Sequence, residues 1–286
     1  MLTRVDRVQV VVPKRAAVAA AFARLLDAGI VGEDRVGGLA ARRTVLRLGS
    51  SEVELLEPDG AGVVADFLSA ARGGLFAAGF ATSNMSGLRA RLAALGVTCG
   101  EEGGQLFIEP RLPQLPGLRA VISRAASVPA AAGLVQHLYE ATLLVSDFRA
   151  VVAAAAEAFG LEATYFVPIR SQEFGYEGVL TLFDPNQLDR MEIITPNDPV
   201  KTMGRFFARR GACWYMCFAE AADLRPIRDR LLQHAPDDWT GPPTGVPDSL
   251  FIHPKALGGM MLGVSRTKYA WTWSGHPERV IAAGES

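Results

Sequence analysis

The sequence predicts an α+β protein that repeats one plan of strands and helices along the chain. Three observations carry this reading. Short β-branched or apolar runs alternate with helical periodicities, in the same order in both halves. The segment Leu106-Phe107-Ile108-Glu109-Pro110 returns at the matching place as Leu250-Phe251-Ile252-His253-Pro254. The chain of 286 residues also exceeds one average domain of roughly 100–200 residues. With 49% hydrophobic and 21% charged residues it can bury a large core, which excludes intrinsic disorder.

In the first half, Val8-Gln9-Val10-Val11-Val12 reads as a strand closed by Pro13. Val18, Phe22, Leu25 and Leu26 recur at helical spacing and predict a helix over 16–27. Two strands, 44–48 and 52–56, flank a hairpin turn at Gly49-Ser50-Ser51. A strand of small apolar residues over 75–81 comes next, then a helix over 88–95 stopped by Gly96. Strands at 106–108 and 118–122 complete the copy. The second half repeats this order. It has a strand at 140–145, a helix at 149–159, and strands at 178–183, 190–194 and 213–219. A helix over 224–233 and strands at 250–253 and 260–264 finish it. The Ala- and Pro-containing stretch 125–132 reads as a linker between modules 1–124 and 133–286. The tail Tyr269-Ala270-Trp271-Thr272-Trp273 alternates aromatic and small residues, as an edge strand or an arm would.

Composition narrows the function classes. Twenty-nine basic against thirty acidic residues give a net charge of −1, which argues against a nucleic-acid partner. No apolar run approaches the ~18 residues of a membrane span, so no membrane partner is expected. Met1 to Arg7 leads straight into a strand without a basic leader and apolar core, and the three cysteines form no CxxC pair. A cytoplasmic location follows as the expectation. Cys213 and Cys217 read as small apolar fillers on a strand. There is no phosphate-binding glycine loop, nucleophile elbow or dinucleotide fingerprint.

The repeated order resembles the vicinal oxygen chelate superfamily, the group of glyoxalases, extradiol dioxygenases and bleomycin-resistance proteins. The segments that carry the resemblance are residues 5–12, Val53-Glu54-Leu55-Leu56-Glu57-Pro58 and 74–80 in the first copy. In the second they are 139–147, Met191-Glu192-Ile193-Ile194-Thr195-Pro196 and Phe251-Ile252-His253-Pro254-Lys255. The last of these, with Gly258-Gly259-Met260-Met261-Leu262 after it, is similar to methylmalonyl-CoA epimerase-like members. The resemblance implies two tandem modules, each of paired βαβββ units curved into a cup. It also implies a metal centre with ligands from the first, fourth, fifth and eighth strands of a module. At those positions this chain has Arg7, Glu54, Ala77 and Val121 in the first copy, and Glu140, Glu192, Tyr215 and Gly263 in the second. Alanine, valine and glycine have no ligand atom, and arginine repels a cation. Only Glu54 and Glu192 match the family pattern, and none of the four histidines lands on a ligand position. No cofactor is expected.

Strand alternation puts Arg7 and Gln9 on one face. The family geometry then sets Arg7 near Glu54, as an ion pair in place of the metal or as a grip on an anionic ligand. The second copy puts Glu140 beside Glu192 with no cation at the motif positions. Repulsion and desolvation would raise at least one of these carboxyls toward neutrality, as acid/base catalysis needs. A salt bridge from Glu140 to Arg190 is the structural alternative. Tyr215 would donate a hydrogen bond to a developing oxyanion, with His253 assisting or serving only as a turn residue. Trp214 and Trp271 are the candidate aromatic contacts, Trp271 through packing or through a lid over a flat ligand.

The functional expectation is a lyase- or isomerase-type enzyme acting on a small oxygenated organic molecule, aromatic ones included. Its second cup would use Glu140, Glu192, Tyr215 and His253, while Arg7 and Glu54 hold ligand in the first. The alternatives are a non-catalytic sequestering protein and a metal enzyme whose divalent ion sits on Glu140, Glu192 and His253. A homodimer is compatible with all three.

Overall fold

A computed structural model describes residues 1–110 and 112–282. The first module runs β1 (Leu2–Val11), α1 (Arg15–Leu26), β2 (Gly29–Val36), β3 (Ala41–Leu48), β4 (Ser51–Pro58) and α2 (Val63–Ala71). It continues through β5 (Gly74–Thr82), α3 (Met85–Ala94), β6 (Cys99–Glu102), β7 (Gln105–Ile108) and β8 (Ala120–Arg124). The second module follows the same plan. It has β9 (His137–Leu144), α4 (Phe148–Phe159), β10 (Phe166–Ser171), β11 (Tyr176–Leu182), β12 (Arg190–Pro196) and α5 (Thr202–Arg210). The remaining elements are β13 (Cys213–Ala221), α6 (Arg225–His234), β14 (Trp239–Thr240), β15 (Ser249–Ile252) and β16 (Met261–Arg266).

The two mixed sheets have matching strand orders, β2-β3-β4-β1-β5-β8-β7-β6 and β10-β11-β12-β9-β13-β16-β15-β14. Phe107 on β7 and Phe251 on β15 therefore hold equivalent places. The fold is α+β in two tandem modules, as the repeated sequence order predicts. Among the described residues no helix is long and apolar enough to cross a membrane.

The chain packs into two compact units that do not follow the sequence repeats. One comprises Met1–Val5, Ala77–Ala126 and Glu140–Tyr215; the other comprises Asp6–Phe76, Ser127–Tyr139 and Met216–Ser286. Each unit thus takes half of each module. In the first, Phe80 packs edge-on against Phe183, and Phe159 and Trp214 tilt against it. In the second, Phe218 gathers Tyr139, Phe251 and Trp273.

Local chemistry explains the clearest elements. Asp147 caps α4 by accepting from the Arg149 and Ala150 amides, and Gly160 ends it at φ 61°. The elements absent from the sequence reading are β2, α2, β6, β10, α5 and β14. The strand β2 is exposed along nearly its whole length, and α5 buries only Met203 and Gly204. The aromatic tail is neither strand nor arm. Lys268, at φ 64°, turns the chain into a 3₁₀ helix over Tyr269–Trp273, which Thr272 and Ser274 stabilise by bonding back to the Tyr269 and Ala270 carbonyls. Trp271 is buried there beneath the Arg279 guanidinium, 4.7 Å from its ring centroid. Cys217 is a buried filler whose Sγ lies 3.6 Å from Met260 Sδ.

Candidate active site

Two parallel strand pairs place the carboxylates. In the first module β4 lies beside β1 with Arg7 opposite Glu52 and Gln9 opposite Glu54. In the second, β12 lies beside β9 with Arg190 opposite Glu140 and Glu192 opposite Thr142. The fourth-strand carboxylate is kept in both copies. In the row before it the charges are exchanged: the base stands on the first strand in one module and on the fourth strand in the other.

Glu54 is fully buried and fully served. It accepts from Arg7 Nη1 at 2.7 Å and Gln9 Nε2 at 2.8 Å, and Arg43 Nη1 from β3 lies 3.2 Å from Oε2. Burial alone would push this carboxyl up, but the charges of Arg7 and Arg43 and the Gln9 amide outweigh it and hold the group below the usual carboxylate range. Burial also works against the Arg7 charge. Asp6, Glu54 and Glu52 reverse the effect, so its pKa is raised above the ordinary value. The cluster is a closed ion network, and both guanidinium groups are already engaged by protein carboxylates.

The second module builds something different. Arg190, with no exposed surface, donates from Nε to Glu140 Oε2 at 2.7 Å and from Nη1 to the Leu188 carbonyl. Its Nη2 lies 2.7 Å from the same Glu140 oxygen. Of the two readings of Glu140, the salt bridge to Arg190 is the one that forms, because the parallel register brings Arg190 directly across from it. Thr142 Oγ1 lies 2.5 Å from Glu192 Oε2 and 3.4 Å from Glu140 Oε1, and its single proton can serve only one of them. The Arg190 guanidinium is turned to Glu140 and has only a smaller effect on Glu192. Burial first, and the Glu140 charge second, raise its carboxyl to about 8, against the smaller opposing effects of Thr142 and Arg190. The surroundings of Glu192 thus favour its protonated form.

The remaining candidates divide between the compact units. Tyr215 belongs to the same unit as Glu140 and Glu192. It packs edge-on against Phe206 at 5.0 Å, beside the buried cluster of Leu144, Ile194 and Met203. Burial raises its phenol. Trp214, also in this unit, is buried, and its indole N–H donates to the Arg119 carbonyl at 2.6 Å, so it serves the core. His253 and Trp271 belong to the other unit, with Arg7 and Glu54. His253 is a turn residue: its amide donates to the Asp238 carbonyl, and Nε2 meets Thr240 Oγ1 at 2.7 Å. The sequence reading missed Thr142, two residues along the Glu140 face, and Tyr176, whose phenol is pushed up by burial and then by the charge of Glu192.

These residues do not fit the fold family's metal. Ala77, Val121 and Gly263 carry no donor, Arg7 and Arg43 cover Glu54 with positive charge, and Arg190 takes up Glu140. Among the described residues no three His, Cys, Asp or Glu side chains gather as a metal site.

Comparison with solved structures agrees with this layout at the level of fold. A variant of 4-hydroxymandelate synthase from Streptomyces coelicolor matches with a TM-score of 0.67 at 13% identity, covering 98% of this chain and 99% of that one. The chain has the vicinal oxygen chelate fold. Methylmalonyl-CoA epimerase from Streptomyces coelicolor aligns over 44% of this chain and 100% of its own, at 17% identity and a TM-score of 0.40. The Mycobacterium tuberculosis epimerase aligns over 46% of this chain and 89% of its own, at 18% identity and a TM-score of 0.38. No protein-family model and no curated protein matches the sequence. Both modules carry a glutamate at the same place on this fold, Glu54 on β4 and Glu192 on β12.

Proposed function

We propose that the chain is an enzyme of the lyase or isomerase type that moves a proton on a small oxygenated organic molecule, using side chains of the second module and no metal. One observation carries this reading. Glu192 is a nearly buried carboxyl whose pKa is raised toward the working pH by its surroundings and by Glu140. A group poised this way is an effective general acid, and once it has given up its proton it is an effective general base. Glu140, fixed by Arg190, supplies the neighbouring charge that keeps the proton on Glu192. Thr142 fixes the orientation of the carboxyl. The names of the structural neighbours, a synthase and epimerases, are compatible with a small-molecule enzyme on this fold.

Isotope exchange tests this reading whatever the net reaction is. The protein is incubated in deuterium oxide with a panel of small carbonyl and carboxyl compounds that bear an acidic C–H, and proton NMR follows isotope washing into each. Exchange at one position of one compound, lost in Glu192→Gln, is the expected result. Tight binding without exchange or turnover would replace this reading with sequestration.

A further inference from the structure

The corners where β4 and β12 end can be compared residue by residue, because the strand registers of the two modules match. In the first module Arg35 on β2 stands opposite Arg42 on β3, one row from Ala41, which pairs with Pro58 at the end of β4. In the second, Arg170 on β10 stands opposite Glu177 on β11, one row from Tyr176, which pairs with Pro196 at the end of β12. Arg35 and Arg170 are therefore equivalent, and so are the residues after the two prolines, Asp59 and Asn197. Asp59 neutralises its corner, with one carboxylate oxygen 2.9 Å from Arg35 and the other 3.2 Å from Arg42. In the second module the base is kept and the acid has become an amide.

The chain that follows adds charge of the same sign. The 14 residues after Pro196 carry Lys201, Arg205, Arg209 and Arg210 against one acid, Asp198. The 14 after Pro58 carry Asp59 and Asp66 against Arg72. Because α2 and α5 hold the same place in the repeat, the fold itself does not call for a basic helix there. Lys201, Arg205 and Arg209 recur every four residues and form a stripe about 12 Å long down one side of α5. Their hydrogen bonds leave the charge uncancelled. Lys201 Nζ donates to the Gln172 carbonyl, and Arg205 donates to the Val200 carbonyl and to Thr202 Oγ1, all neutral acceptors. Among the described residues no carboxylate is ion-paired with Arg170, Lys201, Arg205 or Arg209. Two acids close by in the chain are turned elsewhere: Asp198 Oδ1 accepts from the Val200 amide at 3.0 Å, and Glu177 faces Arg149 at 4.0 Å. Other exposed arginines, such as Arg89 and Arg225, are paired with Glu101 and Asp223.

These features meet at a cleft within one compact unit. The β10–β11 turn and the loop into α5 are joined by the Asn197 amide, which donates to the Gly175 carbonyl at 2.9 Å. Between them lies a space of about 500 Å³ lined by Arg170, Ser171, Asn197, Asp198 and Lys201. That volume suits a small molecule better than the surface of a macromolecule. The Asn197 carboxamide has no side-chain partner among the described residues and offers a further donor. Asn197 stands about 16 Å along the chain from Glu192, so the cleft is a separate place on the module. We propose that it binds a small molecule ending in a phosphate or pyrophosphate group. Arg170, Lys201 and Asn197 would hold the group, and Arg205 and Arg209 would meet negative charge extending from it. Guanidinium forks and a lysine point charge match phosphate oxygens, whereas a single carboxylate would leave most of the stripe unused. The site stands on its own residues and does not rest on the reading of Glu192.

Calorimetric titration of the full chain with inorganic pyrophosphate tests the site. Saturable binding that weakens as salt rises is the expected result. Asn197→Asp restores the acid of the first module with little change of size, and should weaken binding by about tenfold or more. Arg170→Gln should do the same, and Arg209→Gln should cost about threefold. Arg35→Gln, at the neutralised corner, should leave the affinity within about twofold. All four side chains are exposed, so these variants should unfold at the temperature of the unaltered protein. A lipid headgroup offers the same phosphate, so vesicles of phosphatidylcholine with phosphatidic acid form the second arm. Pyrophosphate binding without sedimentation on these vesicles supports the proposal. Sedimentation on the vesicles without pyrophosphate binding overturns the small-molecule assignment. No saturable pyrophosphate binding at millimolar concentration, or binding that Asn197→Asp and Arg170→Gln leave unchanged, overturns the site.

Discussion

Glu54 and Glu192 occupy the same place in two copies of one fold, yet their surroundings give them opposite chemistry. Glu54 is met by two guanidinium groups and an amide, so its charge is neutralised where it is buried. Glu192 is met by a hydroxyl and a second glutamate, and the nearby arginine is bound to that second glutamate. The difference goes with an exchange of acid and base across one strand pair. A buried carboxylate becomes a structural tie when its counter-charge points at it. It becomes a proton carrier when the counter-charge is taken by its neighbour.

The largest expected effect lies in the first module. Glu54→Gln leaves Arg7 and Arg43 short of a buried counter-charge, so chemical denaturation at neutral pH should show a loss of about 3–5 kcal/mol. A near-neutral result would mean that Asp6, Glu52 and Asp34 absorb both arginines. The comparison can also be inverted. Glu140→Arg combined with Arg190→Glu gives the second module the arrangement of the first, with a guanidinium next to Glu192. The Glu192 midpoint should then fall by about two to three pH units in carboxyl NMR; an unchanged midpoint would show that burial alone sets it. Smaller effects are expected at Trp214 and His253. Trp214→Phe loses one buried N–H bond to the Arg119 carbonyl, for about 1 kcal/mol in thermal or chemical unfolding. His253→Ala loses a half-exposed turn contact to Thr240, and both stability and any isotope exchange should change little, by about 0.5 kcal/mol for the former.

Much of this is legible in the residues alone. The Leu-Phe-Ile motif before Pro110 and Pro254 marks equivalent strands because both need the same alternation and the same stop. Strand alternation and the family positions place Arg7 on Glu54 and Glu140 beside Glu192. What the sequence does not resolve is register. Arg190 could have faced any of several acids, and only the parallel pairing of β9 and β12 puts it opposite Glu140. The strands β2 and β10 escape notice because exposed edges carry no apolar alternation, and β10 even contains Pro168. The tail reads as extended because its aromatic period of two looks like a strand; the left-handed Lys268 turns it into a helical segment instead.

The most direct test of the central claim is the stability of Glu192→Gln relative to the unaltered protein at pH 5 and at pH 9. The folded-state pKa of Glu192 is raised above its unfolded value, so the folded state holds the extra proton between the two. Stability is therefore fully present below the unfolded pKa, near 4.5, and is lost as pH rises through about 8. The glutamine variant keeps the neutral form and escapes that loss. Its advantage over the unaltered protein should grow from pH 5 to pH 9 by an amount on the order of a few kcal/mol. For Glu54→Gln, whose carboxyl is held low, the difference from the unaltered protein should be flat over the same range, because that contribution is lost only in acid. Parallel stability curves for Glu192→Gln and the unaltered protein between pH 5 and pH 9 would contradict the account.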